Sequence, residues 1–174
     1  MLLSVQSSSL RSSALLVGAF LLASPWVGFA QVGTADLFEE AQHFEDQQDY
    51  AAAENVFKKI LSTDPESLEA LKRLGILEQT TLRFPDSIVH FKHVLSQSPE
   101  YPQVNFFLAV SYFGQRNYPD AIASFEKELR TSTPHPATHY YLALTLESAG
   151  HIHEAIDELN SLAEKDPGKA DVFY

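Results

Sequence analysis

A chain of 174 residues that is 45% apolar has room for one compact domain or a short array of repeats, and too much apolar surface to stay unfolded. It contains no cysteine, which excludes a disulfide framework, a thiol nucleophile, a Cys-ligated metal and a lipid-modified N-terminal cysteine. The formal net charge is −11, and a surface of that sign repels phosphate backbones, so no nucleic-acid partner is expected.

The first element differs in kind from the rest. "MLLSVQSSSLRSS" carries one positive side chain, Arg11, and no acid, and an apolar core follows from Ala14 to Ala23 before Ser24 and Pro25. That core is far shorter than the roughly 20 residues a membrane-spanning helix needs. Small residues at Gly28 and Ala30 place the expected cleavage after Ala30, so residues 1–30 are predicted to be a signal peptide and the protein to be exported, to the periplasm or the exterior. An uncleaved N-terminal anchor is the alternative. Cleavage removes Arg11 and no acid, leaving 11 basic against 23 acidic residues, a net −12, and no expected membrane span. Residues 31–34 read as a short linker.

From residue 35 the chain has a fixed rhythm. Small residues recur every 34 positions at Ala41, Gly75, Ala109 and Ala143, and a second small series, Ala53, Ser87, Ala121 and Ala155, keeps the same interval. Bulky residues follow in step at Phe57, Phe91, Phe125 and Leu159, and at Tyr50, Phe84, Tyr118 and Ile152. Such a period fixes the architecture before any other reading. The units are 35–67, 68–101, 102–135 and 136–169. Within each, apolar spacing is helical, as in Leu108, Ala109 and Tyr112, or Ala121, Ile122, Phe125 and Leu129. The spacing predicts first helices over 35–48, 67–81, 102–115 and 136–149, and second helices over 51–63, 85–97, 119–131 and 152–165. "DPES", "SPEY" and "DPGK" are expected to supply capping Asp or Ser residues between units, and Gly150 a tight reversal. The small residues let two helix backbones approach, and the large Phe of the second helix fills the space beside them.

"ATHYYLALTLESAGHIHEAIDELNSLAEKDP" resembles the tetratricopeptide repeat signature: a small residue in a Tyr-rich first helix, Gly at the turn, "EAI" opening the second helix and "DP" at the end. The resemblance covers residues 35–174 and implies an all-α fold, antiparallel helix-turn-helix repeats stacked as a right-handed α-solenoid. Three positions depart from the family pattern: Glu78 replaces a usual aromatic, Leu82 the turn glycine, and Glu128 a small or apolar residue. One further repeat length beyond Pro136 falls at Ala170, so "ADVFY" (170–174) matches the opening of a fifth unit. Because natural arrays close with a polar cap, the sequence is expected to be a fragment or trimmed chain with further repeats or domains beyond Tyr174; a native tail packing its aromatics on the fourth unit is the alternative.

No enzyme motif is present: G-x-S-x-G, H-E-x-x-H, P-loop and G-x-G-x-x-G are all missing. His135 and His139 open a helix whose far end lies before His151 and His153, about 20 Å away at 1.5 Å per residue, so they cannot share an ion. His90 and His93 offer two ligands without a third. The histidines are read as solvated surface groups. Adjacent acid pairs such as Glu39-Glu40 and Asp157-Glu158 point about 100° apart on a helix and read as solvated faces. No catalytic residue, metal or cofactor is expected.

The resemblance also implies where a ligand would sit, since the fifth, sixth, ninth, twelfth and thirteenth positions of the first helices line the concave groove. Carried over, these are Phe38, Glu39, Gln42, Glu45 and Asp46 in unit 1, and Lys72, Arg73, Ile76, Gln79 and Thr80 in unit 2. Unit 3 supplies Phe106, Phe107, Val110, Phe113 and Gly114, and unit 4 Tyr140, Tyr141, Leu144, Glu147 and Ser148. The candidate peptide-binding set is Lys72, Arg73, Ile76, Phe106, Phe107, Val110, Phe113, Tyr140, Tyr141 and Leu144. Phe107, Tyr141, Val110 and Leu144 place apolar groups where the family commonly has polar ones: either an apolar peptide or helix of a partner lies against them, or a later segment of the chain does. The Lys and Asn set with which similar chaperone adaptors clamp a C-terminal carboxylate is not reproduced. Two functions stay open, a non-catalytic protein-interaction scaffold of the cell envelope or exterior, and the docking or regulatory part of a larger enzyme.

Overall fold

The computed structural model describes residues 33–165. The predicted signal peptide, its cleavage site and the predicted start of a fifth unit lie outside the described residues. Eight helices follow one another: α1 (Thr34–Asp46), α2 (Tyr50–Thr63), α3 (Leu68–Thr80), α4 (Phe84–Gln97), α5 (Val104–Gly114), α6 (Tyr118–Leu129), α7 (Thr138–Ser148) and α8 (Ile152–Lys165). Each helix packs on the next, and first helices of successive units also touch, α3 on α5 and α5 on α7. This is the α-solenoid of helix-turn-helix repeats that the 34-residue period requires. Among the described residues no helix is long and apolar enough to cross a membrane.

The size alternation is what joins the helices. Ala41, Ala53, Ala109 and Ala121 are fully buried, as are Phe57, Phe91 and Phe125. At Gly75 an added Cβ would lie 2.7 Å from the Phe91 ring, so only hydrogen fits there without a shift. Two clusters result, one around Phe57 in unit 1 and the α3 face it meets, the other running from Phe91 through Phe106 to Phe125 and Leu142. Leu159, the fourth member of the Phe series, is half-buried, and Ile152 and Ile156 beside it are about half exposed at 49% and 51%.

Within every unit the turn between the two helices uses one left-handed residue at the same repeat position: Gln48 (φ 59°), Leu82 (61°), Arg116 (59°) and Gly150 (86°). A left-handed residue at the helix end lets the next amides return to the last carbonyls, as Asp49 N–H does to Phe44 O (2.9 Å) and Arg83 N–H to Glu78 O (2.7 Å). Pro85 and Pro119 open α4 and α6, where a missing N–H costs nothing.

Helices α2 and α4 end where the spacing puts them, at the C-caps Asp64 and Ser98, and the turns behind them close by Ser67 N–H to Asp64 O and Tyr101 N–H to Ser98 O. Two helix starts fall two residues later than expected, each for a local reason. Helix α5 begins at Val104, because Gln103 takes φ 65°. Helix α7 begins at Thr138, after Pro134 and Pro136, since a proline disfavours the helical conformation in the residue before it.

Candidate protein-binding face

The first helices of units 2 to 4 form a row, and the groove residues read from the sequence divide into three groups along it. Arg73, on α3, is committed to unit 1: its guanidinium donates to Gln42 Oε1 (2.6 Å) and to the Glu45 carboxylate on α1, and lies 5.3 Å from the centre of the Phe57 ring. Lys72 is held at the edge, 3.8 Å from Glu69 and 5.6 Å above the Tyr101 ring. Tyr101 donates to Glu69 (3.0 Å), and burial, with this bond second, pushes its phenol up to about 12. The basic pair is therefore engaged within the protein.

The second group belongs to the core. Phe106 is 5% exposed and touches Phe107, Phe125 and Tyr141 edge-on at 5.4–5.8 Å, while the His135 ring stacks on it at 3.8 Å. The third group is half-buried: Ile76, Phe107, Val110, Phe113, Tyr140, Tyr141 and Leu144. Phe107 stacks on Phe91 (6.0 Å) and Tyr141 on Phe125 (6.3 Å), so both rings close a seam between neighbouring units while keeping one edge outward. Tyr140 meets Tyr141 edge-on at 5.6 Å. Leu144 and Tyr140 also border a crevice on α8 with Ile152, Ile156 and Leu159. Ile76 shares a smaller recess with Glu45, Tyr50 and Arg73.

Gln79 does more than line the groove. Its side-chain amide donates to Phe107 O and to Ser111 Oγ, both at 2.7 Å, and Ser87 Oγ donates to Ser111 Oγ at 2.8 Å. This network ties α3, α4 and α5 where α3 and α5 meet, and fixes the orientation of the Phe107 turn.

The departures from the repeat pattern have partners too. Glu78, 4% exposed, pairs with His90 Nδ1 at 2.7 Å, and His93 pairs with Glu66, His139 with Glu158 and His151 with Glu154 at 2.8–2.9 Å. His90, His93 and His139 are thus partly buried partners of acids, whereas His151 and His153 are exposed as the sequence suggested. Fully buried Glu128 accepts the backbone N–H of His135 through Oε1 (2.9 Å), holding the 130–137 connection onto α6, while its Oε2 has no partner among the described residues. His135 Nδ1 accepts from Ala137 N–H (3.2 Å), and burial lowers the His135 pKa. These long-range pairs leave no trace in local spacing; the sequence signal was only that an acid stood where an apolar residue belongs.

A sequence profile for the tetratricopeptide repeat matches residues 38–102, 78–136 and 108–170. The chain belongs to the tetratricopeptide repeat family. No curated protein matches it. Among solved structures, the repeat array is similar to a crystal structure of MamA protein (22% identity over 79% of this chain and 76% of that one, TM-score 0.71). It is also similar to MamA from residue 41 onward from Desulfovibrio magneticus RS-1 (17% identity, 78% and 76%, TM-score 0.72). A tetratricopeptide repeat protein from Parabacteroides merdae ATCC 43184 matches at 17% identity over 78% of this chain and 54% of that one, with TM-score 0.69. At these identities the likeness is one of fold. Tetratricopeptide arrays are protein–protein interaction scaffolds, presenting side chains from stacked first helices to a partner.

Proposed function

We propose that this tetratricopeptide array is a non-catalytic scaffold of the cell envelope or exterior, seating a peptide or helix of a protein partner along the face of α3, α5 and α7. The observation that carries this reading is the row of half-buried apolar side chains, Ile76, Phe107, Val110, Phe113 and Leu144, on first helices that touch one another. A run of partly exposed apolar groups of this kind suits the apolar stripe of an incoming helix, read at i, i+3 and i+4. Because Lys72 and Arg73 are engaged with Tyr101, Glu45 and Gln42, the partner is recognised by shape and apolar contact more than by its charge. The signal-peptide layout of residues 1–30 supports export. The non-catalytic reading is supported by the commitment of His90, His93, His139 and His151 to structural acid partners.

Because Phe107 and Tyr141 hold the unit seams, truncating them would confuse folding with binding; Val110 and Leu144 are the better probes. Wild type and the Val110→Asp/Leu144→Asp variant are to be compared by capture from an envelope extract with quantitative mass spectrometry, alongside far-ultraviolet circular dichroism. Loss of the wild-type partners at unchanged helical content is expected. The same partners in the same amounts from both proteins would refute the assignment of this face.

A further inference from the structure

Asn105 stands at the fourth position of its unit, where units 1 and 2 have Leu37 and Leu71. It is 5% exposed, and its amide has no hydrogen-bond partner among the described residues. The amide atoms are not sealed off but open onto the crevice they line, so a polar residue faces solvent through a cleft at the position where units 1 and 2 bury a leucine. The amide lines a crevice of about 380 Å³ between units 2 and 3, together with Leu95 of α4, Pro99 and Glu100 of the α4–α5 connection, and Lys127 and Arg130 at the end of α6. Lys127, Arg130 and Glu100 form no ion pair among the described residues.

The repeat supplies an internal comparison. One period earlier the same corner has Leu71 for Asn105, Glu66 for Glu100 and His93 for Lys127. There His93 Nε2 and Glu66 Oε2 close on each other at 2.9 Å, and the buried position is apolar. In the later corner the two charges stand apart and the leucine has become an amide. The charged side chains that line the crevice are exposed and form no ion pair among the described residues, and Leu95 and Pro99 line it beside them.

We propose that this crevice binds a zwitterionic ligand of amino-acid size. Lys127, Arg130 and the Asn105 N–H groups hold its carboxylate, Glu100 holds its ammonium, and Leu95 and Pro99 meet its aliphatic part. The donor set fits this class and rejects others. A dianion would meet Glu100, a simple cation would meet Lys127 and Arg130, and a neutral apolar molecule would engage none of the four polar groups. The site is separate from the α3–α5–α7 face, since Asn105 lies about 200° around α5 from Phe107, and it stands whether or not that face binds a protein.

The test uses L-leucine on the full chain, followed by the side-chain amide resonance of Asn105 in nitrogen-15 nuclear magnetic resonance and by calorimetry. L-Leucine is expected to shift that resonance saturably. N-Acetyl-L-leucine and L-leucinamide, each lacking one charge, are expected to bind at least about tenfold more weakly. Lys127→Gln is expected to weaken L-leucine by a similar factor. Asn105→Leu, which restores the residue of units 1 and 2, is expected to abolish binding while melting at a higher temperature than wild type. The proposal is overturned if L-leucine leaves the Asn105 resonance unmoved, if the N-acetyl compound binds as tightly as leucine, or if Asn105→Leu binds leucine unchanged. In any of these cases Lys127 and Arg130 serve only to complement the helix end.

Discussion

The imidazole of His135 lies face to face on Phe106, with 3.8 Å between ring centres and 15° between planes. The contact crosses from the connection ahead of α7 to α5, and the same histidine is fastened through its N–H to Glu128 on α6 and through Nδ1 to Ala137 N–H. Nδ1 accepts, so the ring is neutral with its proton on Nε2, and burial lowers its pKa. A histidine with a depressed folded pKa stabilises the protein above the ordinary histidine value of about 6.5 and loses that contribution as pH falls through it toward the folded value. In denaturant titrations from about pH 8 to about pH 5, the stability advantage of wild type over His135→Phe, which keeps the stack without the titration, is expected to shrink. A difference independent of pH would contradict this.

Packing at the helix crossings gives a contrast between two sites. Phe125 is fully buried, and Phe125→Ala is expected to cost about 3–5 kcal/mol. Gly75→Ala has a helix-propensity gain of about 1 kcal/mol in its favour, and alanine occupies the same repeat position at Ala41, Ala109 and Ala143. The Phe91 ring, fully buried, stands 2.7 Å from where that Cβ would go, so a net loss of about 1–2 kcal/mol is expected. Urea unfolding measures both, and a more stable Gly75→Ala would mean that Phe91 can move aside.

The turns predict opposite effects from opposite changes. Leu82 is 72% exposed and left-handed at φ 61°, so it contributes little packing while its Cβ is strained. Leu82→Gly is expected to gain up to about 1 kcal/mol. Gly150 has φ 86° with nothing within 4 Å of an added Cβ, so Gly150→Ala is expected to lose about 1 kcal/mol through the backbone alone. Paired thermal melts decide the matter; equal melting temperatures across all three proteins would be the contrary result.

Arg73 and Glu45 join α1 to α3 by side chains where the two backbones make no close approach. Both are partly shielded, with side chains 18% and 22% exposed. A double-mutant cycle of Arg73→Ala and Glu45→Ala is expected to return a coupling of about 1 kcal/mol that falls with added salt. Purely additive effects would reduce Arg73 to its contact with Phe57.

The fold was legible because packing repeats itself. Wherever two helices cross closely a small residue must stand, and wherever they splay a phenylalanine must fill, so Ala109 and Phe125 announce their places in any copy of the unit. Boundaries slipped by two residues where a single backbone angle at Gln103, or the prolines around His135, overrode the period. The candidate face was less legible. Phe106 and Phe107 are the same residue side by side, and only the neighbouring units decide that one enters the core and the other lies half open on the seam. Glu78, Asn105 and Glu128 were visible or available as polar residues in apolar positions, but a histidine twelve residues on, an open crevice and a loop amide are long-range facts that no local pattern encodes.

The most direct test of the binding face is site-specific photocrosslinking in cells that make the protein, with benzoylphenylalanine placed at Val110 on the α3–α5–α7 face and, separately, at exposed Glu126 on α6. Adducts to another polypeptide from Val110, and none from Glu126, are the predicted result. Adducts from Glu126 and none from Val110 would place the partner on the other side of the array and contradict the account.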